Sequence, residues 1–164
     1  MLLAIEGPDY CGKTTLFAAL MRETWVGKPR MIKQPDMSTR LFEHVDELER
    51  RELPLWAAID RAIVDRFTVI SNQVYGRLYG RPLLDPKLWH SRVVFMYLRQ
   101  PLEVLIERSV RGDKLLRAKL ERVSEAYDAA FEDWLGPKCV LTGSVDDFVR
   151  NALAFDLTRF PERS

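Results

Sequence analysis

A short motif near the start of the chain links a local fold to a chemistry. Residues 7–14 read Gly-Pro-Asp-Tyr-Cys-Gly-Lys-Thr, a complete match to the pattern G-x4-G-K-[ST]. The apolar run LLAIE at 2–6 precedes this motif, and helical periodicity from Thr14 to Trp25 follows it. The glycines let backbone N–H groups turn inward around phosphate oxygens, and the helix N-terminus adds its positive end. The sequence therefore predicts a phosphate-binding loop, the P-loop, between a first strand and a first helix.

The residue types of this loop predict which ligands it holds. Lys13 would reach the β- and γ-phosphates of a nucleotide, and the hydroxyl of Thr14 would ligate magnesium. We therefore expect ATP and Mg²⁺ as cofactors. The loop residues expected to contact the nucleotide are Gly7, Pro8, Asp9, Tyr10, Cys11, Gly12, Lys13, Thr14 and Thr15.

Short apolar runs alternate with longer stretches of helical period along the whole chain, which predicts βαβ units around a parallel sheet. The expected strands cover residues 2–6, 30–34, 55–59, 93–98 and 138–142. The fold class is α/β: a doubly wound, five-stranded parallel sheet of the P-loop NTPase type with helices on both faces. A chain of 164 residues suits one such domain. Ligands of such a sheet bind at the carboxyl ends of its strands.

Helical periodicity predicts the elements between the strands. The segment 38–52 is charged and amphipathic. Apolar residues at three- and four-residue spacing predict one helix over 62–79 and a long one over 115–135. Ser144, with Asp147 three residues on, is expected to cap a final helix. The expected inner face of the long helix consists of Leu116, Leu120, Val123, Tyr127, Ala130 and Trp134.

A basic segment at about 108–117 lies between a helix predicted to begin at Pro101 and the long helix predicted over 115–135. Phosphoryl transfer needs cations around the moving phosphoryl group, and an Arg-rich segment between helices is typical of a lid that closes over phosphates. We expect a short lid here, in which Arg108 and Arg111 stabilise the transferred group. The basic residues of this segment are Arg108, Arg111, Lys114 and Arg117.

The charge and composition of the chain exclude several classes of protein. The 25 Lys and Arg balance 24 Asp and Glu, so the chain has no general attraction for duplex DNA or an anionic membrane. Its apolar runs are far shorter than the roughly 20 residues that span a bilayer, and no signal peptide is apparent. Two cysteines do not make a disulfide framework, so we expect a cytoplasmic protein. His44 and His90 have no partners at metal-ligand spacing.

The residues around the P-loop resemble the thymidylate kinase family and, more distantly, its deoxynucleoside kinase relatives. The stretch 6–9, Glu-Gly-Pro-Asp, together with 12–15, Gly-Lys-Thr-Thr, looks like the family pattern E-G-x-D-x-x-G-K-[ST]-T. Deoxynucleoside kinases tend to carry Asn-Ile where Asp9 stands. The resemblance implies an ATP-dependent kinase that transfers the γ-phosphoryl group to a thymidine-type deoxynucleotide. It also implies that Asp9 helps to recognise the sugar end of the substrate.

The resemblance extends to the acceptor side and to the lid. Lys33-Gln34-Pro35 lies where the family has Arg-Glu-Pro, which implies that Lys33 contacts the acceptor phosphate. Residues 71–75 are similar to the S-x-x-A-Y element beside the base pocket, and Phe67 and Tyr75 are the aromatics expected to hold a nucleobase. By the same resemblance, Ser144 lies beside the adenine of ATP. The run 97–112 looks like the family's strand, helix and lid arginines, and 120–127 looks like its helix after the lid.

The family also has an Asp-Arg pair that ends its third strand, and the chain offers two candidates. Asp60-Arg61 follows the predicted strand at 55–59, whereas Asp65-Arg66 falls inside the predicted helix over 62–79. We therefore place the pair at Asp60-Arg61, with Asp60 as a metal ligand, and keep Asp65-Arg66 as the alternative. In the first placement Arg66 could still point at an acceptor phosphate.

Departures from the family leave the acceptor open. The segment between the second and third strands is shorter than in thymidylate kinases, and an abbreviated kinase of this kind is typical of a large bacteriophage. One alternative is therefore a kinase of 5-hydroxymethyluracil in DNA, which a local basic strip would assist. Others are a deoxynucleoside kinase and a nucleotide-binding regulator without turnover, although intact Lys13 and Thr14 disfavour the last. A homodimer is usual in the family. The basic strip that would assist binding to DNA consists of Arg77, Arg81, Lys87 and Arg92.

Overall fold

Five parallel strands form one sheet in the computed structural model, which describes residues 1–22, 30–33, 48–109 and 114–154. The strand order is β2-β3-β1-β4-β5, so β1 lies in the centre with β3 and β4 as its neighbours. This arrangement confirms the predicted five-stranded parallel α/β fold. The strands are β1 (Leu2–Glu6), β2 (Arg30–Lys33), β3 (Ala62–Asp65), β4 (Val93–Leu98) and β5 (Lys138–Leu141).

Apolar cores lie on both faces of the sheet, because successive side chains of a strand point to opposite sides. Leu2 and Ala4 of β1 belong to one core, and Leu3 and Ile5 belong to the other. All five residues of β1 are buried, as expected of a central parallel strand covered by helices on both faces. The helices are α1 (Lys13–Arg22), α2 (Leu53–Ala57), α3 (Thr68–Tyr79), α4 (Leu102–Arg108), α5 (Lys114–Asp133) and α6 (Val145–Ala154).

The third strand lies later in the sequence than predicted. Residues 55–59 are largely in α2, preceded by a short π-helix at Leu48–Glu52, and β3 occupies Ala62–Asp65. The predicted helix over 62–79 is therefore wrong in its first part, since α3 begins only at Thr68. A short apolar run does not separate a buried strand from a buried helix by periodicity alone. Pairing decides here, because Ala62 to Asp65 bond to β1 on one side and to β2 on the other.

The remaining predictions agree well with the described elements. Strand 93–98 is confirmed residue for residue, and the long helix appears as α5, one residue ahead of its expected start. The predicted loop after α3 contains a single 3₁₀ turn at Lys87–Trp89. On α5, the inner-face residues Leu120, Val123, Tyr127, Ala130 and Trp134 are all buried, and Leu116 packs partly buried against one of the cores.

Several predicted features fall outside the described residues. They are the end of the first helix after Arg22, the amphipathic segment up to residue 47, Gln34-Pro35, and the lid from residue 110 to 113 with Arg111. Among the helices that the structure describes, none is long and apolar enough to cross a membrane.

Candidate active site

A cleft of about 740 Å³ opens above the carboxyl ends of β1 and β3. The P-loop forms one wall, the turn after β3 forms another, and residues of α3, α4 and α5 close the sides. This is the edge at which parallel sheets bind ligands. The lining residues are Asp9, Tyr10, Gly12, Lys13, Thr14, Thr15, Lys33, Asp65, Arg66, Tyr75, Tyr79, Arg108, Lys119 and Val145.

The P-loop has the backbone that its glycines predict. Gly7 and Gly12 have φ angles of 150° and 105°, which side chains rarely tolerate, and a Cβ on Gly7 would lie 2.8 Å from the carbonyl oxygen of Leu98. Tyr10 adopts φ of 66°, an uncommon value for a residue with a side chain. Such strain concentrates at functional loops, where the surroundings hold it.

Lys13 is held against the loop that it belongs to. Its Nζ donates to the carbonyl oxygens of Gly7 at 2.6 Å and Pro8 at 2.7 Å, and the side chain is only 7% exposed. Thr14 and Thr15, the next two residues, are exposed in the cleft. Cys11 is buried within the loop, and burial raises the pKa of its thiol, so it serves as a small packing residue. The predicted nucleotide loop thus forms a single concave surface.

The turn after β3 supplies the Asp-Arg pair of the cleft. Asp65 ends the strand and Arg66 follows it with φ of 70°, a left-handed backbone that costs about 1–3 kcal/mol in a non-glycine residue. The Nη2 of Arg66 lies 2.8 Å from Asp9 Oδ1, and its Nη1 donates to the Tyr75 hydroxyl at 3.4 Å. Burial disfavours the charged form of Arg66, but the neighbouring tyrosine hydroxyls and carboxyl groups raise its pKa above the ordinary value. Arg66 therefore stays cationic within the cleft.

The placement of the pair at Asp60-Arg61 is wrong. Both residues precede β3, and the carbonyl oxygen of Asp60 accepts a hydrogen bond from the amino group of Met1 at the opposite edge of the sheet. The four residues of β3 separate them from the cleft, a span of about 13 Å. Neither residue lines the cleft, so Asp60 cannot ligate a metal there together with Thr14.

Of the two aromatic residues predicted to hold a nucleobase, one lines the cleft and the other does not. Tyr75 lines the cleft and bonds to Arg66. Phe67 is fully buried, with its ring centroid 5.5 Å from that of Trp56 and 5.1 Å from that of Trp89. The prediction that Phe67 holds a nucleobase is therefore wrong, because its ring belongs to the core under the sheet edge. Tyr79, one helical turn beyond Tyr75, lines the cleft instead and was not predicted.

Arg108 stands between the main cleft and a second hollow of about 700 Å³ at the ends of β4 and β5. Its Nη1 donates to the carbonyl oxygen of Tyr10 at 3.4 Å, so this predicted lid arginine already reaches the P-loop. Thr142 and Gly143 line the second hollow, and the next residue, Ser144, caps α6. Arg117, the other lid cation whose side chain the structure describes, lies 3.0 Å from Glu103 on α4.

Lys119 is a cleft residue that no sequence motif indicates. Lys119 reaches the cleft from α5, where it adds a cation to Lys33 and Arg66. Counting the charged lining side chains, the cleft has five cations and two carboxylates. Such an excess attracts anions with more than one charge. Lys119 stands on the polar side of an amphipathic helix, so periodicity alone offers no sign of its role.

Glu6 lies beneath this surface and is fully buried. Its carboxyl group accepts hydrogen bonds from the amide of Phe67 and from the Tyr127 hydroxyl, the latter at 3.1 Å. Burial raises the pKa of Glu6 to about 7, although the Phe67 bond and the charges of Arg66 and Lys13 act to lower it. A carboxyl group at the end of an otherwise apolar strand is a visible anomaly in the sequence, and it marks a residue with an internal role.

The side chains suit a magnesium ion bound together with phosphates. Within the described part of the chain, no three Asp, Glu, His or Cys side chains converge as a dedicated metal site. Magnesium in nucleotide sites needs only one or two protein oxygens, since phosphates and water supply the rest. The hydroxyl of Thr14 and the carboxylate of Asp65 line one cleft and provide such oxygens.

The basic strip considered for DNA is partly neutralised. Arg77 lies 2.6 Å from Asp133, and Arg92 donates to the carbonyl oxygen of Ala57 at 2.7 Å while its guanidinium lies over the Trp89 ring. Arg81 and Lys87 are exposed. Two of its four cations thus already serve contacts within the protein.

Comparison with known proteins gives one relative of similar sequence. No protein-family model matches the chain. The SPbeta prophage-derived protein YorR of Bacillus subtilis (strain 168), which is uncharacterised, is 32% identical over 143 residues, covering 77% of this chain and 79% of YorR.

Several solved structures resemble this protein over nearly the whole chain. The crystal structure of YorR from B. subtilis in complex with phosphorylated GDP has a TM-score of 0.74 at 23% identity and covers 94% of both chains. Deoxyadenosine kinase from M. mycoides, with dCMP and a flexible dCDP bound, has a TM-score of 0.60 at 20% identity and covers 94% of this chain and 97% of its own. Shikimate kinase from Acinetobacter baumannii, in complex with shikimate, scores 0.58 at 16% identity over 96% and 93%. The fold is that of P-loop kinases of nucleosides and other small molecules.

Proposed function

The chain belongs to the family of the prophage protein YorR, and we propose that it is an ATP-dependent kinase that phosphorylates a thymidine-type deoxynucleotide. The observation that carries this proposal is the meeting of Lys13, Asp65 and Arg66 in one cleft with an excess of positive charge. Phosphoryl transfer requires positioning and cations around the moving group rather than covalent chemistry by the protein. The cleft offers both.

At the donor end, the P-loop amides and Lys13 bind the β- and γ-phosphates. Lys13 exchanges its bonds to the loop carbonyls for bonds to phosphate oxygens, so its ammonium is preorganised at the site of transfer. Arg108, which bridges the cleft and the second hollow, stabilises charge on the transferred group. The base of the donor lies in the second hollow beside Gly143 and Ser144.

Thr14 and Asp65 would hold a magnesium ion, whose charge would neutralise that of the phosphates. Asp65 takes the part assigned to Asp60 on sequence grounds, because it is the carboxylate that ends the third strand at the cleft.

At the acceptor end, Arg66 and Lys33 bind the phosphate already carried by the acceptor, and Asp9 orients Arg66 through its 2.8 Å ion pair. Tyr75 and Tyr79 offer aromatic surface to the nucleobase. The cations Lys33, Arg66 and Lys119 support an anionic acceptor over a neutral nucleoside.

A deoxynucleoside acceptor is the second candidate. The fold match to deoxyadenosine kinase favours it, and so does the carboxylate of Asp9, which lines the cleft and could accept a proton from a 5′-hydroxyl. The prophage origin of YorR keeps a modified base in DNA as a third acceptor to be tested.

The experiment is transfer of label from γ-labelled ATP to dTMP, thymidine and duplex DNA containing 5-hydroxymethyluracil, run in parallel. Labelled GTP is included as donor because the YorR crystal contains a phosphorylated guanine nucleotide. Label on dTMP alone supports the proposal, and label on thymidine alone supports the second candidate. Label only on DNA assigns the third acceptor. The absence of transfer to all acceptors from both donors would refute the kinase proposal.

A further inference from the structure

The carboxyl group of Glu6 joins three elements without lining the cleft. It accepts the amide hydrogen of Phe67, and the Ser71 hydroxyl lies 3.4 Å from Oε1 and 3.5 Å from Oε2. The Tyr127 hydroxyl donates to Oε2 at 3.1 Å. The end of β1 is thereby tied to the start of α3 and to the middle of α5.

The Phe67 bond lies where the chain leaves the sheet. The amide of Arg66 still donates to the carbonyl oxygen of Ile5 at 3.1 Å, in continuation of the β1–β3 pairing. The left-handed backbone of Arg66 then turns the chain toward α3. The next amide, that of Phe67, donates to the Glu6 side chain rather than to a strand carbonyl. Arg66 is therefore fixed by β1 from both sides, once through a main-chain oxygen and once through a carboxyl group.

A left-handed residue with a side chain persists only where its surroundings hold it. The orientation of the Arg66 guanidinium depends on this backbone, because Asp9 and Tyr75 bind it only in the observed direction. Loss of the Phe67 bond would leave a buried amide unsatisfied and release the turn.

We infer that Glu6 is a positioning residue for the acceptor site, which holds Arg66 in its left-handed conformation by binding the Phe67 amide. The inference rests on the proposed kinase function, in which Arg66 binds the phosphate of the acceptor. Glu6 acts through Arg66 and does not touch the substrate. The carbonyl oxygen of a protonated carboxyl accepts an amide hydrogen as well, so the role does not require a negative charge.

Two variants of similar size separate this role from general packing. Glu6→Met fills the same space without an oxygen acceptor, whereas Glu6→Gln keeps an oxygen for the Phe67 amide. We expect E6M to raise the KM for dTMP at least tenfold, with the KM for ATP changed less than threefold. E6Q is expected to restore the dTMP value to within threefold of the wild type. Equal rises in both KM values, or no rise in E6M, would overturn the inference.

A matched control lies on the same helix. Asn72 is fully buried and bonds to Pro82 and Leu84 of the 82–84 segment, and it is not among the residues that hydrogen-bond to the Glu6 carboxyl group. Asn72→Ala therefore removes buried hydrogen bonds of α3 without touching the turn. Its KM for dTMP should stay within threefold of the wild type. A tenfold rise would mean that any weakening of α3 disturbs the site, which contradicts a specific role of Glu6.

The Arg66→Ala background tests whether Glu6 acts through Arg66. There, E6M is expected to add less than a twofold change in the dTMP KM, because the side chain that it positions is missing. A further tenfold loss would show that Glu6 acts on the acceptor by another route.

Crystal structures of E6M and E6Q make the result independent of turnover. We expect Arg66 to leave the left-handed region and its bond to Asp9 to break in E6M, and both to persist in E6Q. These structures decide on Glu6 even if the wild type transfers no label, a result that refutes only the kinase proposal. Should E6M not fold, Tyr127→Phe, which loosens the carboxyl group, should raise the dTMP KM two- to fivefold. An unchanged KM would then contradict the inference.

Discussion

Arg66 combines a left-handed backbone with a guanidinium bound on two sides. Its partners, Asp9 of the P-loop and Tyr75 of α3, come from segments far apart in the sequence. The side chain thus connects the P-loop with α3 across the cleft. Arg61, five positions earlier, is chemically identical but lies at the other edge of the sheet, where its Nε is buried without a partner in the described structure.

Arg66 and Arg61 make a matched pair for mutagenesis. Arg66→Ala is expected to lower kcat/KM for the acceptor about 100-fold, because one preorganised cation of the transfer site is lost. Arg61→Ala should leave kcat/KM within about threefold, since this residue is remote from the cleft. Steady-state kinetics with dTMP as the varied substrate decides the matter. A larger loss in R61A than in R66A would return the Asp-Arg pair to residues 60 and 61.

Lys13 is expected to dominate the donor site. Lys13→Ala should reduce phosphoryl transfer by about 10²–10³-fold, because its ammonium is the P-loop group that meets the developing charge. The fold should remain, because the hydrogen bonds of the Lys13 ammonium are made within its own loop. Transfer assays are paired with circular dichroism to check folding. Activity near that of the wild type would contradict the role given to Lys13.

At the scale of elements, caps and turns set where each helix of the site begins. Ser144 and Asp147 form a reciprocal cap on α6: Asp147 Oδ2 accepts from the amide and hydroxyl of Ser144 at 2.9 Å and 2.7 Å, and the Asp147 amide donates back at 3.2 Å. The bond from the Ser144 hydroxyl lowers the pKa of Asp147. This cap confirms the predicted start of the last helix and fixes the loop beside the second hollow.

Removal of the Ser144 hydroxyl, which caps α6, should lower the stability of the protein. Ser144→Ala is expected to lower the free energy of unfolding by about 1 kcal/mol, as helix caps generally do. Thr142→Ala, an exposed change two residues upstream, should alter it by less than about 0.5 kcal/mol. Urea unfolding of both variants gives the comparison. Equal effects would show that the cap contributes nothing beyond surface chemistry.

At the scale of the whole molecule, Glu6 joins the sheet, α3 and α5 through a buried titratable group. An unfolded glutamate has a pKa near 4.5, and burial raises the folded value to about 7. Between pH 4.5 and pH 7 the folded protein keeps a proton on Glu6 that the unfolded chain releases. The stabilisation of the fold by this bound proton is therefore complete below pH 4.5 and is lost as the pH rises through 7.

This linkage predicts a pH profile of stability. The Glu6 contribution to the free energy of unfolding should fall by about 3 kcal/mol between pH 4.5 and pH 7. Glu6→Gln removes the titrating proton, so the slope of stability against pH in this window should be smaller than in the wild type. Urea unfolding of both proteins at half-unit pH steps measures the difference. Identical slopes would mean that Glu6 does not titrate with the raised pKa.

The sequence by itself determined the fold class and the position of the P-loop. The pattern from Gly7 to Thr14 depends on local backbone geometry, and the strand before it and the helix after it are also local features. The same holds for strand 93–98, whose unbroken apolar run requires burial on both faces, and for the cap at Ser144. Interactions between near neighbours in the chain are visible in a sequence, because the residues that make them stand close together in it.

Only the tertiary structure decided the third strand and the wall of the cleft beside it. The run at 55–59 and the run at 62–65 are both short and apolar, and pairing with β1 selects the second as the strand. That choice moves the Asp-Arg pair to Asp65-Arg66 and takes Phe67 into the core. Lys119 reaches the cleft through the placement of its helix, and Glu6, which stands in the motif, gains its partners Phe67 and Tyr127 through contacts between residues distant in the chain. Such contacts follow from the packing of the whole sheet, and no local pattern encodes them.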